Sequence, residues 1–407
     1  MERLSVISSS MSSKNSPKFV SDALTYLDGD KFFSDEINKE RRELRAALEI
    51  EIKPQIPALL EKAEFIDSLL PALRKLDLPK KYLEAPYGVG KCPRRLASIV
   101  LELARIDGSL VTAFLVHSVL FMSTIAEFGS EEQKKAVLPA ASRFELMGGF
   151  GLTEPSVGSD ASGLNTSAQE MPDGSWVLNG EKKWIGMANK DFLICFARNK
   201  ATKQVNAFLV DLKLPGVSRS VIWGKMSMRS VHNMHIILKD VRVPASARLP
   251  KVNDFTDVAK MLAHSRMFVS WVAVGIGLGL YDNLVAYVTQ RQQFNQPIAK
   301  FQLVQARVVE VMGSVQAALA FATRLTEMME KGQASIGRLA LGKAWISKEI
   351  RKAAALARET LGGNGILIEN RIIQAMMDME AVYTYEGTYD VNTLVAGREL
   401  TGLAAFK

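Results

Sequence analysis

The chain has 407 residues, of which 48% are hydrophobic and 23% are charged, and its formal net charge is +8. These values are typical of a globular protein with a large core and more than one domain. Lys and Arg are interleaved with Asp and Glu, and no basic run alternates with aromatic residues, so we expect no nucleic-acid binding. The uncharged run of residues 267–281 is too short to span a bilayer and predicts a buried helix whose glycines allow close packing.

The first 18 residues are rich in Ser, and they fit either a weak mitochondrial presequence or a disordered tail. We predict a flexible N-terminal tail over residues 1–32. The last three residues, Ala-Phe-Lys, do not match the tripeptide signal for peroxisomes. The two ends of the sequence thus leave both a mitochondrial and a peroxisomal location open, and no signal decides between them.

Residues 33–148 have the periodicity of a helical domain. Ser34 is a candidate N-cap, and an apolar stripe follows it until Pro54. Ser130 and Gln133 have the spacing of a capping box for a short helix. Further helices are predicted over residues 66–77, 94–107 and 109–128.

Residues 149–250 change character and predict a β domain, either a barrel or a sandwich. Short apolar runs alternate there with Asn-Gly, Pro-Gly and Lys-Asp turn signals. From residue 251 to residue 407 the pattern is helical again. Long helices are predicted over residues 256–291, 302–331, 335–361 and 391–404.

The two cysteines and three of the histidines do not predict a metal site. Cys92 and Cys195 have no CxxC spacing, which fits a reducing compartment without disulfides or zinc. His117 lies in an apolar helical run and is expected to be a core residue. His232 and His235 would point to opposite faces of a strand, which argues against a shared metal.

Near the C-terminus, the sequence AVYTYEGTYDVNTL (residues 381–394) surrounds Glu386 with three tyrosines. A carboxylate flanked by rings, with no cation nearby, loses solvation, and this raises its pKa toward neutrality. Such a group suits the removal of a weakly acidic proton from carbon. The alternative is that Glu386 and Asp390 face the dipole of a helix N-terminus.

Two further motifs have the composition of ligand-binding loops. In LTEPSVGSD (residues 152–160), Pro and Gly favour an exposed loop whose amides and hydroxyls can bind a planar ring or phosphates, although a plain turn between strands is the alternative. In LGGNG (residues 361–365), three glycines allow close approach of a ligand, whereas a helix C-cap needs only one. Neither motif is a GxGxxG after a strand, so no Rossmann unit is predicted.

Together these motifs resemble those of the acyl-CoA dehydrogenase and acyl-CoA oxidase superfamily, over a region from about residue 35 to the C-terminus. The segments LTEPSVGSDASGL, LGKAWISKEIR and TYEGTYDVNTLVAGRELTG are most similar to plant-type short-chain acyl-CoA oxidases and glutaryl-CoA dehydrogenase. The resemblance implies a multidomain α and β protein: an N-terminal helical domain, a middle β-barrel or sandwich domain and a C-terminal four-helix bundle. It also implies FAD as cofactor, a homodimer or homotetramer, and a role in fatty acid metabolism such as β-oxidation.

The resemblance also implies which residues bind FAD. One group would contact the flavin ring or the phosphates: Phe150, Leu152, Thr153, Gly158, Ser159, Trp184, Ile185, Gly186 and Thr388. A second group would reach the FAD of a neighbouring subunit: Arg291, Gln302, Gly362, Gly363 and Gly365. Met187 and Asn295 stand where relatives often have Asn and Gly, so local contacts there can differ. The alternative for Trp184 is an ordinary buried aromatic residue of a strand, and the alternative for Arg291 is a cap on the preceding helix.

By the same resemblance, Ser159, Arg266, Glu386 and Gly387 would bind the acyl-CoA substrate. A salt bridge at a helix start is the alternative for Arg266. Glu386 would remove the α-proton while a hydride leaves the β-carbon for the flavin, and the product would be a trans-2-enoyl-CoA. The Glu386 N–H and a flavin ribityl hydroxyl would bind the thioester oxygen.

Substrate and electron acceptor are less constrained by the sequence. Residues 110–112, where glutaryl-CoA enzymes have an arginine, contain no cation, so a short, medium or branched uncharged acyl chain is favoured. The acceptor is either electron-transfer flavoprotein or O₂. A biosynthetic acyl-CoA dehydrogenase is an alternative, and a non-enzymatic acyl-CoA-binding subunit is disfavoured because the base and the glycines persist.

Overall fold

The structure, a computed structural model, describes residues 22–405. The Ser-rich first 18 residues, interpreted above as a weak presequence or a disordered tail, and the last two residues of the chain lie outside the described residues. The chain runs through an N-terminal helical part, a β part and a C-terminal helical part, in the predicted order. The predicted fold class is thereby confirmed.

Local capping signals determine where several N-terminal helices begin. The Ser34 side chain accepts a hydrogen bond from Ile37 N, and Ser130 and Gln133 form both bonds of the predicted capping box. The helix predicted over residues 109–128 is interrupted by a π-helical stretch, Val116–Met122. The helices are α1 (Asp35–Ala47), α2 (Ile56–Lys62), α3 (Leu70–Lys75), α4 (Pro93–Ile106), α5 (Gly108–Leu115), α6 (Ser123–Phe128) and α7 (Glu131–Ala141).

The middle part is a mixed sheet of seven strands within the described residues. Its strands are β1 (Gly148–Gly151), β2 (Ser167–Glu170), β3 (Trp176–Ile185), β4 (Phe192–Asn199), β5 (Val205–Asp211), β6 (Val217–Val221) and β7 (Met234–Val243). Strand β4 pairs in parallel with both β1 and β2 and antiparallel with β5. Because neighbouring side chains point to opposite faces, β4 contributes Ile194 and Phe196 to one apolar cluster and Leu193 and Cys195 to another.

The C-terminal part contains α8 (Phe255–Gln290), α9 (Gln302–Glu330), α10 (Ile336–Thr360), α11 (Ile372–Thr384) and α12 (Tyr389–Thr401). A short hairpin of β8 (Gln292–Gln293) and β9 (Gln296–Pro297) joins α8 to α9. Four of these helices agree with the predicted ones within a few residues. Sequence reasoning missed α11 because its start has no capping side chain: the N-cap is Arg371, at φ 62°.

Helix α8 is the centre of the core and packs closely on α4. A Cβ atom on Gly275 would lie 2.5 Å from Leu101 O, and one on Gly279 would lie 2.3 Å from Arg105 O. The predicted role of these glycines in close helix packing is therefore confirmed.

Three helical stretches are long and apolar enough to cross a membrane: residues 108–128, α8 and α9. The uncharged run of residues 267–281, which by itself is too short to span a bilayer, lies within α8. The apolar windows of the three stretches are 78%, 89% and 44% buried within the protein itself, so the first two are used mainly for packing. The absence of a membrane span remains a prediction.

The predicted tail of residues 1–32 is too long at its C-terminal end. Ala23 and Leu24 are fully buried, and the Phe32 ring stacks on Trp271 of α8 with centroids 5.8 Å apart. Apolar side chains immediately before α1 therefore belong to the core, and this part of the tail prediction is wrong.

Candidate active site

A cavity of about 830 Å³ lies where the three parts of the chain meet. Its walls come from α5 and the π-helical stretch after it, the loop after β1, the end of β3, the segment before β7, and helices α8, α11 and α12. The structure brings together there these predicted site residues: Phe150, Leu152, Thr153, Gly158, Ser159, Trp184, Ile185, Gly186, Arg266, Glu386, Gly387 and Thr388.

Glu386 lies in the loop between α11 and α12, in an unusual backbone conformation. Its φ is 55° and that of Gly387 is 89°, both in the left-handed region. The Asn392 side chain holds this turn by donating to Gly387 O at 2.7 Å and Thr388 O at 3.1 Å. Thr388 is the N-cap of α12, so Glu386 precedes the helix rather than facing its dipole from the first turn.

The Glu386 carboxyl group points into a poorly solvated environment. Burial raises its pKa above the usual glutamate value, and three groups oppose this: a hydrogen bond from Ser265 and the charges of Arg266 and Lys343. The Ser265 hydroxyl donates to Oε2 at 2.6 Å. The raised pKa was predicted, but the assumption that no cation lies nearby was wrong.

The three tyrosines around Glu386 do not flank it as a group. The rings of Tyr383 and Tyr389 stack on each other with centroids 5.1 Å apart, and Arg351 lies over the first at 4.8 Å. Only Tyr385 lines the cavity, with its hydroxyl 3.5 Å from Thr112 Oγ1. Of the three rings, that of Tyr385 faces Glu386, and residues of other helices, Ser265 and Arg266 among them, complete its surroundings.

Arg266 supports the loop through its backbone. Its Nε donates to Glu386 O at 3.2 Å, and burial lowers the guanidinium pKa, opposed by the charge of Glu386. Within residues 22–405 it forms no salt bridge, so the alternative of a salt bridge at a helix start is wrong.

The loop after β1 is anchored by a buried ion pair that sequence reasoning missed. Lys182 Nζ donates to Glu154 Oε1 at 2.8 Å and to Leu152 O at 3.1 Å, and the two side chains are 0% and 4% exposed. Glu154 also accepts bonds from Asn165 N and Thr166 N. The rest of the loop is held outward: Pro155, Ser156, Gly158 and Ser159 are exposed.

Trp184 is the second-last residue of β3, and it is largely exposed. The residue is 52% exposed at φ 67°, which rules out a buried strand aromatic. Asn233 Nδ2 donates to Trp184 O at 2.9 Å and its Oδ1 accepts from Lys225. An apolar ring this exposed at a cavity is suited to stacking on a planar ligand.

Comparisons with known proteins agree with this geometry. The family models described as the N-terminal, middle and C-terminal domains of acyl-CoA dehydrogenase match residues 34–145, 149–241 and 255–401. The 3-(aryl)acrylate reductase of Clostridium sporogenes is 30% identical over 379 residues, which is 91% of this chain and 99% of that protein. This chain belongs to the acyl-CoA dehydrogenase family.

Two other relatives of this acyl-CoA dehydrogenase family member bear on its chemistry. Glutaryl-CoA dehydrogenase from Mycobacterium smegmatis in complex with FADH2 is 28% identical with a TM-score of 0.91, over 95% of this chain and 100% of that chain. The CarC subunit of the caffeyl-CoA reductase–Etf complex of Acetobacterium woodii is 28% identical over 89% of this chain and 98% of that protein. The family consists of FAD-dependent oxidoreductases of acyl-CoAs, which confirms the predicted enzyme class and cofactor.

The second predicted group of FAD-binding residues lies away from the cavity of this acyl-CoA dehydrogenase, at the ends of α8 and α10 and the start of α9. Tyr287 connects the two helix ends: its carbonyl accepts from Arg291 N at 2.9 Å and its hydroxyl accepts from Asn364 Nδ2 at 2.6 Å. A Cβ atom on Gly362 or Gly363 would meet no atom within 4 Å, so these two glycines face open space.

The remaining residues near the predicted second FAD site are Gly365, Asn295 and Gln302. A Cβ on Gly365 would lie 2.3 Å from Arg358 O, so this glycine permits packing on its own helix, which the ligand-contact prediction did not consider. Asn295 has φ 60°, the left-handed conformation that asparagine tolerates in place of glycine. Gln302 begins α9 and is exposed.

The histidines of this acyl-CoA dehydrogenase serve separate structural roles. His117 is fully buried, its Nε2 lies 3.0 Å from Ala141 O, and burial lowers its pKa to about 4, as expected for a core residue. His232 contacts Ala63 O and His235 contacts Glu181, so they do not share a ligand. Among residues 22–405, no cluster of three or more His, Cys, Asp and Glu side chains could hold a metal.

Proposed function

We propose that this protein dehydrogenates a short, medium or branched uncharged acyl-CoA at Cα and Cβ, with Glu386 as the catalytic base. The observation that carries the proposal is the Glu386 carboxyl group, desolvated, hydrogen-bonded to Ser265 and lining a cavity large enough for a thioester and a flavin. A carboxylate with a raised pKa in a water-poor site is a competent base for a carbon acid.

The reaction removes two hydrogens from the acyl chain. Glu386 accepts the Cα proton, the electron pair of that C–H bond becomes the second bond between Cα and Cβ, and a hydride leaves Cβ. FAD, when bound, supplies the acceptor for this hydride. The product is a trans-2-enoyl-CoA, and Glu386 must return its proton to solvent before the next turnover.

The thioester oxygen needs hydrogen-bond donors while negative charge develops on it. The backbone N–H of Glu386 donates to no acceptor among the described residues, although the carbonyl of the same residue accepts from Arg266. A free N–H directly beside the base is suited to binding the thioester oxygen. General-base action contributes about 10²–10⁴-fold, so this donor and the positioning of the substrate must supply much of the remaining acceleration.

Several features of the cavity fit FAD. The exposed ring of Trp184 offers an apolar face, and the outward loop of residues 155–159 offers backbone amides and hydroxyls. We propose that Phe150, Leu152, Thr153, Gly158, Ser159, Trp184, Ile185, Gly186 and Thr388 hold the flavin half. Arg291, Gln302, Gly362 and Gly363 would then bind the FAD of a second subunit, since they lie at an exposed site away from the cavity, and this supports a homodimer or homotetramer. The buried Gly365 would shape the turn that presents the other two glycines.

The preference for an uncharged acyl chain rests on the α5 wall, which is the cavity wall formed by α5 and the π-helical stretch after it. Thr112, Val116 and Leu120 recur at intervals of four and line the cavity, and the lining residues described between 112 and 120 are all uncharged. Lys225 also lines the cavity, but its ammonium donates to Met228 O, Val231 O and Asn233 Oδ1, which uses all three of its protons. A distal carboxylate would find no counter-charge on this wall.

Electron-transfer flavoprotein is the proposed electron acceptor, supported by the relative that is a subunit of a reductase–Etf complex. The alternative acceptor is O₂. Anaerobic butyryl-CoA should bleach the flavin absorbance of the purified protein, and admission of air should then restore it only slowly. Rapid reoxidation with stoichiometric peroxide would identify an acyl-CoA oxidase instead.

The decisive test of the base is the variant Glu386→Gln, which keeps the size of the side chain and removes its basicity. We expect it to bind FAD and butyryl-CoA and to lose flavin reduction by about 10²–10⁴-fold or more. Glu349→Gln, on α10 and outside the cavity, is the matched control. Flavin reduction by Glu386→Gln at the wild-type rate would rule out the proposed base.

A further inference from the structure

Lys343 is a buried cation to which neither the reaction nor the cofactor assigns a role. It lies on α10 with no exposed surface. Its Nζ donates to Tyr383 O at 3.0 Å and to Gly387 O at 2.7 Å. These two carbonyls precede and follow Glu386, so one ammonium group bridges the end of α11 and the turn that carries the carboxylate.

The turn needs such external support because its own backbone is strained. A residue other than glycine in the left-handed region is held there against a backbone strain, and Glu386 has φ 55°. Arg266 and Asn392 also donate to carbonyls of this turn, but neither contacts the last turn of α11 through Tyr383 O. Lys343 is therefore the side chain among these three that ties the turn to the end of the helix before it.

Other cations of α10 hold the same segment from outside and through different groups. Lys348 lies 5.7 Å from the ring centroid of Tyr389, and Arg351 donates to Glu380 at 2.6 Å. Both act on side chains at the surface. Lys343 alone among these three cations reaches the backbone beside Glu386.

The charge of Lys343 also acts on Glu386. The charged groups that face it are Glu386 from the loop and Arg266 from α8, and burial lowers its own pKa to about 7, with Arg266 adding to this and Glu386 opposing it. Reciprocally, Lys343 favours the carboxylate form of Glu386 against the effect of burial. Ser265 from α8 acts in the same direction, Tyr385 faces Glu386 as a neutral phenol, and Asn392 from α12 is uncharged.

We propose that Lys343 is a positioning residue for the dehydrogenation: its ammonium group fixes the turn on both sides of Glu386. Its charge, when present, also favours the carboxylate form of the base. This inference rests on the proposed function, in which Glu386 is the base. It predicts an effect on the chemical step that is separate from folding and from substrate affinity.

The test compares Lys343→Met with wild type, using the FAD-loaded protein and butyryl-CoA. Methionine fills a similar volume without a charge, but it leaves Tyr383 O and Gly387 O without this donor and Glu386 without one of its two nearby cations, so a lower thermal unfolding temperature is expected. In the protein that remains folded we expect unchanged flavin content, with kcat per bound flavin reduced about tenfold to a hundredfold because the base is misplaced. KM should change far less, and the acidic limb of the kcat profile should move to higher pH.

A second variant and a control separate position from charge. Lys343→Gln keeps a neutral donor near the carbonyls, so its kcat should lie between those of wild type and Lys343→Met, while its acidic limb moves as in Lys343→Met. It also replaces Lys343→Met if that variant does not fold. Lys352→Met, at an exposed position of the same helix where the side chain pairs with Glu349, should behave as wild type.

Two results would overturn the proposal. One is a kcat and an acidic limb that match wild type in a folded Lys343 variant. The other is a loss of kcat that is fully accounted for by lost flavin or lost folded protein. Failure of the proposed base has a different signature, since Glu386→Gln would then remain active whatever the Lys343 variants do.

Discussion

The hydroxyl of Ser265 on α8 donates a 2.6 Å hydrogen bond to Oε2 of Glu386 in the loop between α11 and α12, across 121 positions of sequence. This bond orients the carboxyl group within the cavity. It also stabilises the charged form of Glu386, because a hydroxyl donor binds a carboxylate more strongly than a carboxylic acid acceptor.

Ser265→Ala should therefore raise the pKa of Glu386 further. The base acts as a carboxylate, so activity rises with pH through this pKa, and the acidic limb should lie above the usual glutamate range already in wild type. Loss of a hydrogen bond to a charged group costs about 1.5–3 kcal/mol, which corresponds to about one to two pH units. The measurement is kcat for butyryl-CoA against pH.

The control is Ser347→Ala, which removes a buried hydroxyl on α10 that donates to Ala344 O. It should leave the acidic limb at the wild-type pH. An unmoved limb in Ser265→Ala would contradict the assignment of this limb to Glu386.

The buried pair of Lys182 and Glu154 should be essential for the loop after β1. Lys182→Met leaves Glu154 as a buried carboxylate without its counter-charge, which typically costs about 3–5 kcal/mol of unfolding free energy. The same change frees Leu152 O, so we also expect weaker FAD binding by the protein that remains folded. Urea unfolding and FAD titration measure the two effects.

Two comparisons make this prediction specific. The double variant Glu154→Gln with Lys182→Met should recover most of the lost stability, because no unpaired charge remains. Arg242→Met breaks an ion pair whose side chains are both 59% exposed, and it should cost about 1 kcal/mol or less. Equal losses in Lys182→Met and Arg242→Met would contradict the argument.

Short-range sequence signals made many of the helices predictable. The residues that surround Glu386 could not be predicted in this way. Ser34 and the Ser130–Gln133 box begin their helices as expected, because capping depends on residues three positions apart. Helix α11 was missed because no such signal precedes it. The YEGT motif identified Glu386, but Ser265 and Lys343 reach it from other helices, and no spacing in a single sequence reveals such contacts.

Trp184 should report cofactor binding by its fluorescence. Trp184 is 52% exposed and lines the cavity, so a planar ligand that stacks on its ring removes the ring from water and quenches it. Addition of FAD to the apoprotein should decrease indole emission, and Trp184→Phe should lose most of this decrease and bind FAD more weakly. Trp345→Phe, an exposed tryptophan on α10 outside the cavity, is the control. A full decrease in Trp184→Phe would show that the ring does not contact the flavin.

The uncharged α5 wall should make the enzyme discriminate against dicarboxylic acyl chains. Glutaryl-CoA and pentanoyl-CoA have acyl chains of equal carbon number, but the first must place a carboxylate where the described lining residues between 112 and 120 offer no cation. A buried charge without a partner costs several kcal/mol, and each 1.4 kcal/mol is about tenfold. We therefore expect kcat/KM for pentanoyl-CoA to exceed that for glutaryl-CoA by about a hundredfold or more.

Thr112→Arg supplies the missing charge on this wall. The hydroxyl of Thr112 lies 3.5 Å from Tyr385 OH, which is long for a hydrogen bond, so little bonding is lost by the substitution. The ratio of kcat/KM for glutaryl-CoA to that for pentanoyl-CoA should rise in this variant, even if both rates fall because the larger side chain occupies space. Thr202→Arg, which adds the same charge in an exposed turn after β4, should leave the ratio at its wild-type value. A wild-type ratio near one would mean that the distal end of the chain stays in solvent, because only a buried carboxylate requires a counter-charge.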